Sequence, residues 1–138
     1  MNKTQRLQAL YGAFADGDVS TVLGAMEPEI EWYEAEGNPY RPSGEPWIGP
    51  DEILHNLFMK LGEDWVGFTV TPRRYYESDD ALVVEGRYTG VVTETGEPLD
   101  AQFCHIWTLD GDQIAKFQQY TDTAQFQALM GARETATL

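Results

Sequence analysis

From residue 66 onward the apolar residues recur with a period of two, in four segments separated by three polar breaks. The segments lie at about 66–77, 81–92, 98–109 and 113–121; the breaks are Ser78-Asp79-Asp80, Thr95-Gly96-Glu97 and Asp110-Gly111-Asp112. Alternation of this kind predicts strands with one buried face, and Asp, Ser and Gly at the breaks predict turns. Three hairpins in succession give a meander of long antiparallel strands. Gly86 and Gly90 let such strands bend.

The earlier part of the chain reads differently. Leu7, Leu10, Tyr11 and Phe14 recur at three- and four-residue spacing, predicting a helix over 4–16 that Gly17 ends. Asp18 or Ser20 starts a second, short helix through Met26, and Pro28 closes it. Ile30-Glu-Trp-Tyr-Glu34 alternates as a strand with Ile30, Trp32 and Glu34 on one side. Residues 35–49 read as a loop rich in Gly and Pro; its Tyr40 and Trp47 suit a lid or rim over a pocket. Pro50, Asp51 and Glu52 open a third helix with an Ile53, Leu54, Leu57, Phe58, Leu61 stripe, ended by Gly62. A short helix over 124–131 follows the last strand, and 132–138 reads as a frayed tail. Helices followed by one antiparallel sheet make an α+β fold, with the helices on one face of the sheet. A bent sheet closed in this way is a cone with an interior cavity. At 138 residues, with 42% hydrophobic residues and no internal repeat, the chain reads as one domain.

Charge narrows the partners. A net charge of −14 with only nine Lys plus Arg repels phosphate backbones and anionic membranes, so the expectation is no nucleic acid and no membrane. No apolar run of about 18 residues occurs, and the N-terminal residues lead into an amphipathic helix. The expected location is cytoplasmic. The single cysteine, Cys104, reads as a small buried residue. His55 and His105 lack the spacing of a metal site, and no phosphate-binding loop, dinucleotide fingerprint or nucleophile elbow is present, so the expectation is no metal and no cofactor.

Chemistry is suggested where polar groups interrupt apolar faces. Phe103, His105, Trp107 and Leu109 share a strand face, so His105 is either a hydrogen-bonded core ring or a working one. Gln118, Tyr120 and Asp122 share a face by alternation. Asp122 also stands in an Asp-x-x-Gln pattern that caps a helix, so both a capping and a catalytic role are open. Glu34, if buried among aromatics, has a raised pKa and becomes a usable base. The candidate catalytic residues are therefore His105, Asp122 and Glu34. Candidate ligand contacts are Trp32, Trp47, Tyr88, Phe103, Trp107, Gln118 and Tyr120.

Several segments, taken in order, resemble the nuclear-transport-factor-2-like superfamily in its SnoaL-like and ketosteroid-isomerase-like branch. They are Tyr11-Gly-Ala-Phe-Ala-Asp-Gly17-Asp18, Gly49-Pro50-Asp51-Glu52-Ile53, Gly86-Arg-Tyr-Thr-Gly90, Asp110-Gly111 and Tyr120-Thr-Asp122-Thr123. The resemblance implies a conical α+β fold, an apolar pocket, no cofactor and a homodimer. Ketosteroid isomerases use a first-helix tyrosine as oxyanion donor; the matching position here is Leu10, and Tyr11 is rotated from it by about 100° on a helix. The isomerase base matches Glu34, and its aspartic oxyanion donor matches His105. SnoaL-like cyclases use an acidic residue near the end of the last strand, where Asp122 stands. The expectation is a cofactor-independent enzyme doing acid/base chemistry on an apolar carbonyl- or epoxide-like substrate, as isomerase, cyclase or hydrolase. The alternative is a protein of the same fold that holds a hydrophobic ligand without changing it.

Overall fold

The computed structural model describes residues 1–137, with side chains as far as Gly131. Helix α1 (Lys3–Ala15) starts at a capping box: Asn2 Oδ1 accepts from the Gln5 backbone N–H, and Gln5 Oε1 accepts from that of Asn2. Asp18 caps α2 (Val19–Gly24) by accepting from the Thr21 N–H. The expected extension of this helix to Met26 does not occur. Met26 already belongs to strand β1 (Met26–Tyr33).

The reason is tertiary. Strand β1 runs parallel beside the last strand, with Met26 opposite Ile114 and Trp32 opposite Phe117. Pro28 lies where that register slips, between Met26 and Glu31, a place that needs no ladder N–H. The meander read from the sequence had no parallel member.

Strand β2 (Trp47–Ile48) pairs antiparallel with β1 and takes Trp47 out of the expected loop. The third helix is continuous but not uniform. α3 (Pro50–Ile53) passes through a π-helical turn (Leu54–Phe58) into α4 (Met59–Asp64), two residues beyond the expected stop at Gly62. Strands β3 (Trp65–Glu77), β4 (Ala81–Val92), β5 (Pro98–Asp110) and β6 (Gln113–Thr121) then form the expected antiparallel meander. The sheet order is β2-β1-β6-β5-β4-β3. Helix α5 (Thr123–Thr137) follows; the frayed tail expected over 132–138 lies outside the residues described in full.

The fold is thus α+β, one open curved sheet with helices packed on one face. Leu7 and Leu10 of α1, Ile53, Leu57 and Leu61 of the third helix, and Phe126 of α5 meet Ile30, Val84, Ile114 and Phe117 of the sheet in one core. Among the described residues no helix is long and apolar enough to cross a membrane.

Gly86 is where β4 is most tightly confined. A Cβ there would lie 2.2 Å from the Thr71 carbonyl oxygen and 2.5 Å from the Phe103 ring. Pro72 of β3 stands opposite Gly86, and the register slips immediately after it. Gly86→Ala is therefore expected to lower stability by about 1–3 kcal/mol, since the side chain must be forced into packed atoms. Urea denaturation with an unchanged m-value measures this; a variant as stable as the parent refutes the close approach.

Candidate active site

His105 sits in the middle of β5 and is 4% exposed. Its ring stacks on Phe103 of the same strand, with centroids 3.9 Å apart and planes 13° from parallel. Burial holds the imidazole pKa down to about 3, so the ring is neutral at physiological pH. A neutral ring has one N–H and one lone pair, and each needs a partner.

Two phenols supply the partners. Tyr11, from α1, places its hydroxyl 2.6 Å from Nδ1, and Tyr88, from β4, places its own 2.5 Å from Nε2. Each phenol oxygen also accepts from a fixed donor. The Trp107 indole N–H donates to Tyr11 over 2.9 Å, and Gln119 Nε2 donates to Tyr88 over 2.9 Å. Gln119 is held in turn: its Oε1 accepts from Asn38 Nδ2 at 2.8 Å and from the Ala35 backbone N–H at 3.3 Å. Burial pushes both phenols well above their ordinary pKa, so they stay protonated.

Glu34, just past the end of β1, is 2% exposed. Burial lifts its carboxyl to about 7, while the Trp32 indole N–H, donating to Oε2 at 3.1 Å, pulls in the opposite direction. Glu34, Tyr11, Asn38, Tyr88, His105 and Gln119 line one cavity of about 70 Å³ whose other walls are aromatic and aliphatic, among them Trp32, Phe58, Trp107 and Phe117. A carboxyl that titrates near neutrality, two protonated phenols and a neutral imidazole therefore face one apolar space. Such a set can move a proton at Glu34 and hold an oxygen at the phenols.

Of the residues expected from the sequence, His105, Glu34, Trp32, Tyr88 and Trp107 line this cavity. Phe103 lies behind His105 as its stacking partner, and Trp47 is buried on β2 beneath the Arg41 guanidinium, 5.8 Å from its ring centroid. The remaining three need correction. Tyr120 is 54% exposed, Gln118 turns its amide to the Gln119 carbonyl, and Asp122 lies at the surface. Asp122 caps α5, with Oδ1 accepting from the Gln125 N–H at 3.2 Å. The three do share a face, but it is the outer one. His105 stands opposite Gln119 in the β5–β6 register, while Tyr120 stands opposite Cys104. One residue of register reverses every side chain on a strand. The expected meeting of His105 with Asp122 therefore does not occur.

Three polar cavity residues, Tyr11, Gln119 and Asn38, escaped sequence reading. Tyr11 is on the inward stripe of the first helix, and its hydroxyl reaches His105 although Leu10 matches the isomerase donor position. Gln119 required the register just described. Asn38 and Tyr40 lie in the expected lid, which is tied down: Tyr40 donates to Asp64 Oδ2 at 2.8 Å and accepts from the Trp65 indole N–H at 3.0 Å. His55 is exposed, with Nδ1 2.8 Å from the Asp51 carbonyl. Among the described residues no three His, Cys, Asp or Glu side chains converge to hold a metal ion.

Residues 7–117 match the SnoaL-like domain. The chain belongs to the SnoaL-like family. Its fold is shared with an NTF2-like protein from Burkholderia thailandensis, at 31% identity and TM-score 0.84 over 91% of this chain and 95% of that one. TerC, crystallised with polyporic acid, is 25% identical at TM-score 0.80 over 93% and 97% of the two chains. IdmH, a candidate polyketide cyclase from Streptomyces antibioticus, shares the fold at 18% identity and TM-score 0.77 over 95% and 99%. No functionally curated protein matches the SnoaL-like chain in sequence.

The two shifted groups couple to stability with opposite signs. Folding raises Glu34 from 4.5 to about 7, so its contribution is complete below pH 4.5 and is lost as pH rises through 7. Folding lowers His105 from 6.5 to about 3, so its contribution is complete above pH 6.5 and is lost as pH falls toward 3. Between these limits the slopes oppose. Replacing Glu34 with Gln removes one of them. The stability of the parent minus that of Glu34→Gln should fall by about 1.4 kcal/mol per pH unit between pH 4.5 and 7. Denaturant melts at several pH values read this; a difference that stays flat means that the carboxyl is not raised.

Proposed function

We propose that this SnoaL-like protein is a cofactor-independent acid/base enzyme acting on an apolar, carbonyl-bearing substrate of the polyketide kind. The observation that carries the proposal is the Glu34 carboxyl, near pKa 7 and facing the same apolar cavity as the Tyr11 and Tyr88 hydroxyls. As carboxylate, Glu34 takes a proton from the carbon next to the carbonyl. The electron pair moves onto the carbonyl oxygen, and a phenolic O–H holds the resulting enolate. Glu34 then returns the proton to another carbon, or the enolate carbon attacks a second carbonyl to close a ring and the alkoxide so formed takes the proton back from Glu34. His105 stays neutral in this scheme and fixes the phenols; the base is Glu34. Asp122 has no part in it. IdmH, a candidate polyketide cyclase of the same fold, supports a polyketide-like substrate, and the polyporic acid crystallised with TerC supports an apolar, carbonyl-bearing one.

A second reading is favoured by one observation. The cavity, about 70 Å³, is small beside the roughly 300–1,000 Å³ of small-molecule sites, so side chains nearly fill it. On that reading the protein holds a ligand and makes no bond. The finer expectation of a homodimer rests on the family resemblance, and light scattering measures it directly.

Hydrogen–deuterium exchange separates the two readings without knowledge of the natural product. An enolisable aryl ring ketone such as 2-tetralone, incubated in D2O, should gain deuterium next to its carbonyl in the presence of the protein. The rate should rise through a single limb near pH 7. Glu34→Gln should lower it by about 10²- to 10⁴-fold, and Asp122→Asn should leave it within about twofold while costing about 1 kcal/mol of stability at most. Exchange that survives in Glu34→Gln refutes the base, and binding without exchange favours the second reading.

A further inference from the structure

We infer that the Tyr11–His105–Tyr88 cluster presents a ligand with one O–H donor and one oxygen acceptor, and that the tautomer of His105 decides which phenol plays which part. The inference rests on the proposed site and deepens it by naming the ligand class.

The orientation of every outer member is fixed by an unambiguous donor. The Ala35 backbone N–H donates to Gln119 Oε1, so the other end of that amide, Nε2, faces Tyr88 as a donor. Asn38 is set likewise, since the Tyr40 backbone N–H donates to Asn38 Oδ1 and leaves Nδ2 to donate to Gln119. At the opposite end Trp107 Nε1 has only a hydrogen to give. N–H donors therefore close the chain at both ends, and both phenol oxygens accept.

Hydrogens can then be counted at the centre. Two bonds join the imidazole to the phenols, and each uses one hydrogen. Three hydrogens are available: one from the neutral ring and one from each hydroxyl. One hydroxyl hydrogen is always left over. With the proton on Nδ1, His105 donates to Tyr11, and Tyr88 donates to Nε2. The Tyr11 oxygen then has both lone pairs occupied, by Trp107 and His105, and its O–H is free. The Tyr88 oxygen keeps one lone pair free. With the proton on Nε2 the parts are exchanged, and Tyr88 becomes the donor and Tyr11 the acceptor. Both residues line the cavity.

The matching ligand has one acceptor oxygen and one hydroxyl, as a hydroxy-ketone or one arm of a keto–enol pair does. A ligand with two carbonyl oxygens finds a donor for only one of them. When a bound keto–enol pair exchanges its hydroxyl and carbonyl ends, each proton moves one bond along the ring of groups: Tyr11 O–H to the ligand carbonyl, Nδ1–H to Tyr11, Tyr88 O–H to Nε2 and the ligand hydroxyl proton to Tyr88, with no heavy atom displaced.

Nitrogen-15 NMR of histidine-labelled full-length protein tests the mechanism directly. His55 is the other histidine, and its signals are assigned by their loss in His55→Gln. The parent His105 should be neutral at pH 7. In Tyr11→Phe the one phenol left is Tyr88, so the ring proton should reside on Nε2, where Tyr88 accepts it, leaving a lone pair and not an N–H without a partner at Nδ1. In Tyr88→Phe the one phenol left is Tyr11, so the proton should reside on Nδ1, where Tyr11 accepts it. The same nitrogen protonated in both variants, or a cationic ring in the parent, overturns the inference. Should either variant fail to fold, the parent alone decides the ligand class through two ring probes of equal size, 4-hydroxycyclohexanone and cyclohexane-1,4-dione. The hydroxy-ketone should bind about tenfold more tightly, the effect of one buried polar atom left without a partner. Equal affinity, or affinity for neither, overturns the ligand class. Exchange catalysis by Glu34 is measured separately, so loss of either result leaves the other standing.

Discussion

Everything at this site follows from one imidazole buried away from bulk solvent. A buried ring nitrogen without a partner costs about 1–3 kcal/mol, and His105 has two nitrogens to satisfy. Its partners come from different parts of the chain: Tyr11 from the first helix and Tyr88 from β4. Those phenols recruit Trp107, Gln119 and, through Gln119, Asn38 of the loop after β1. Among the described residues no enclosed side-chain nitrogen or oxygen lacks a partner. Tyr11, His105, Tyr88, Trp107, Gln119 and Asn38 form one connected chain that spans helix, sheet and loop, and Glu34 pairs beside it with the Trp32 indole.

The same burial acts oppositely on acids and bases. It lifts a carboxyl toward neutrality and pulls an imidazole away from charge, because both lose water only at the expense of their ionised form. The interior is thereby almost free of charge in a protein whose net charge is −14. A neutral, apolar molecule loses nothing electrostatic on entering such a space. A site for a phosphorylated substrate would need fixed cations, and the cavity contains none among its lining residues.

Much of the architecture is legible because it is written locally. The alternation from residue 66, the turn dipeptides, Pro50 with Asp51 and Glu52, and the Asp122-x-x-Gln125 cap each depend on neighbours in sequence. The parallel pairing of β1 with β6 is not local, and it overrode the expectation that Met26 ends a helix. The site shows the same division. His105 and Glu34 could be picked out because a polar group on an apolar strand face is conspicuous. Gln118, Tyr120 and Asp122 share a face, but the outer one, since alternation says which residues share a face and not which face is inside. Only the pairing of His105 with Gln119 settles that. Tyr11 was visible as part of an apolar stripe, but its hydroxyl gained meaning only once the helix was laid across β5.

The parallel ladder has a kinetic consequence. The first strand must wait for the last, and the Ala35 N–H to Gln119 bond closes a stretch of 84 positions. Contacts of such sequence separation form late, after the loop entropy has been overcome. Glu34 arrives with one of these strands and Gln119 with the other. A chain that has only its hairpins thus has neither a raised acid nor an oriented phenol, and the site is complete only when β1 docks beside β6.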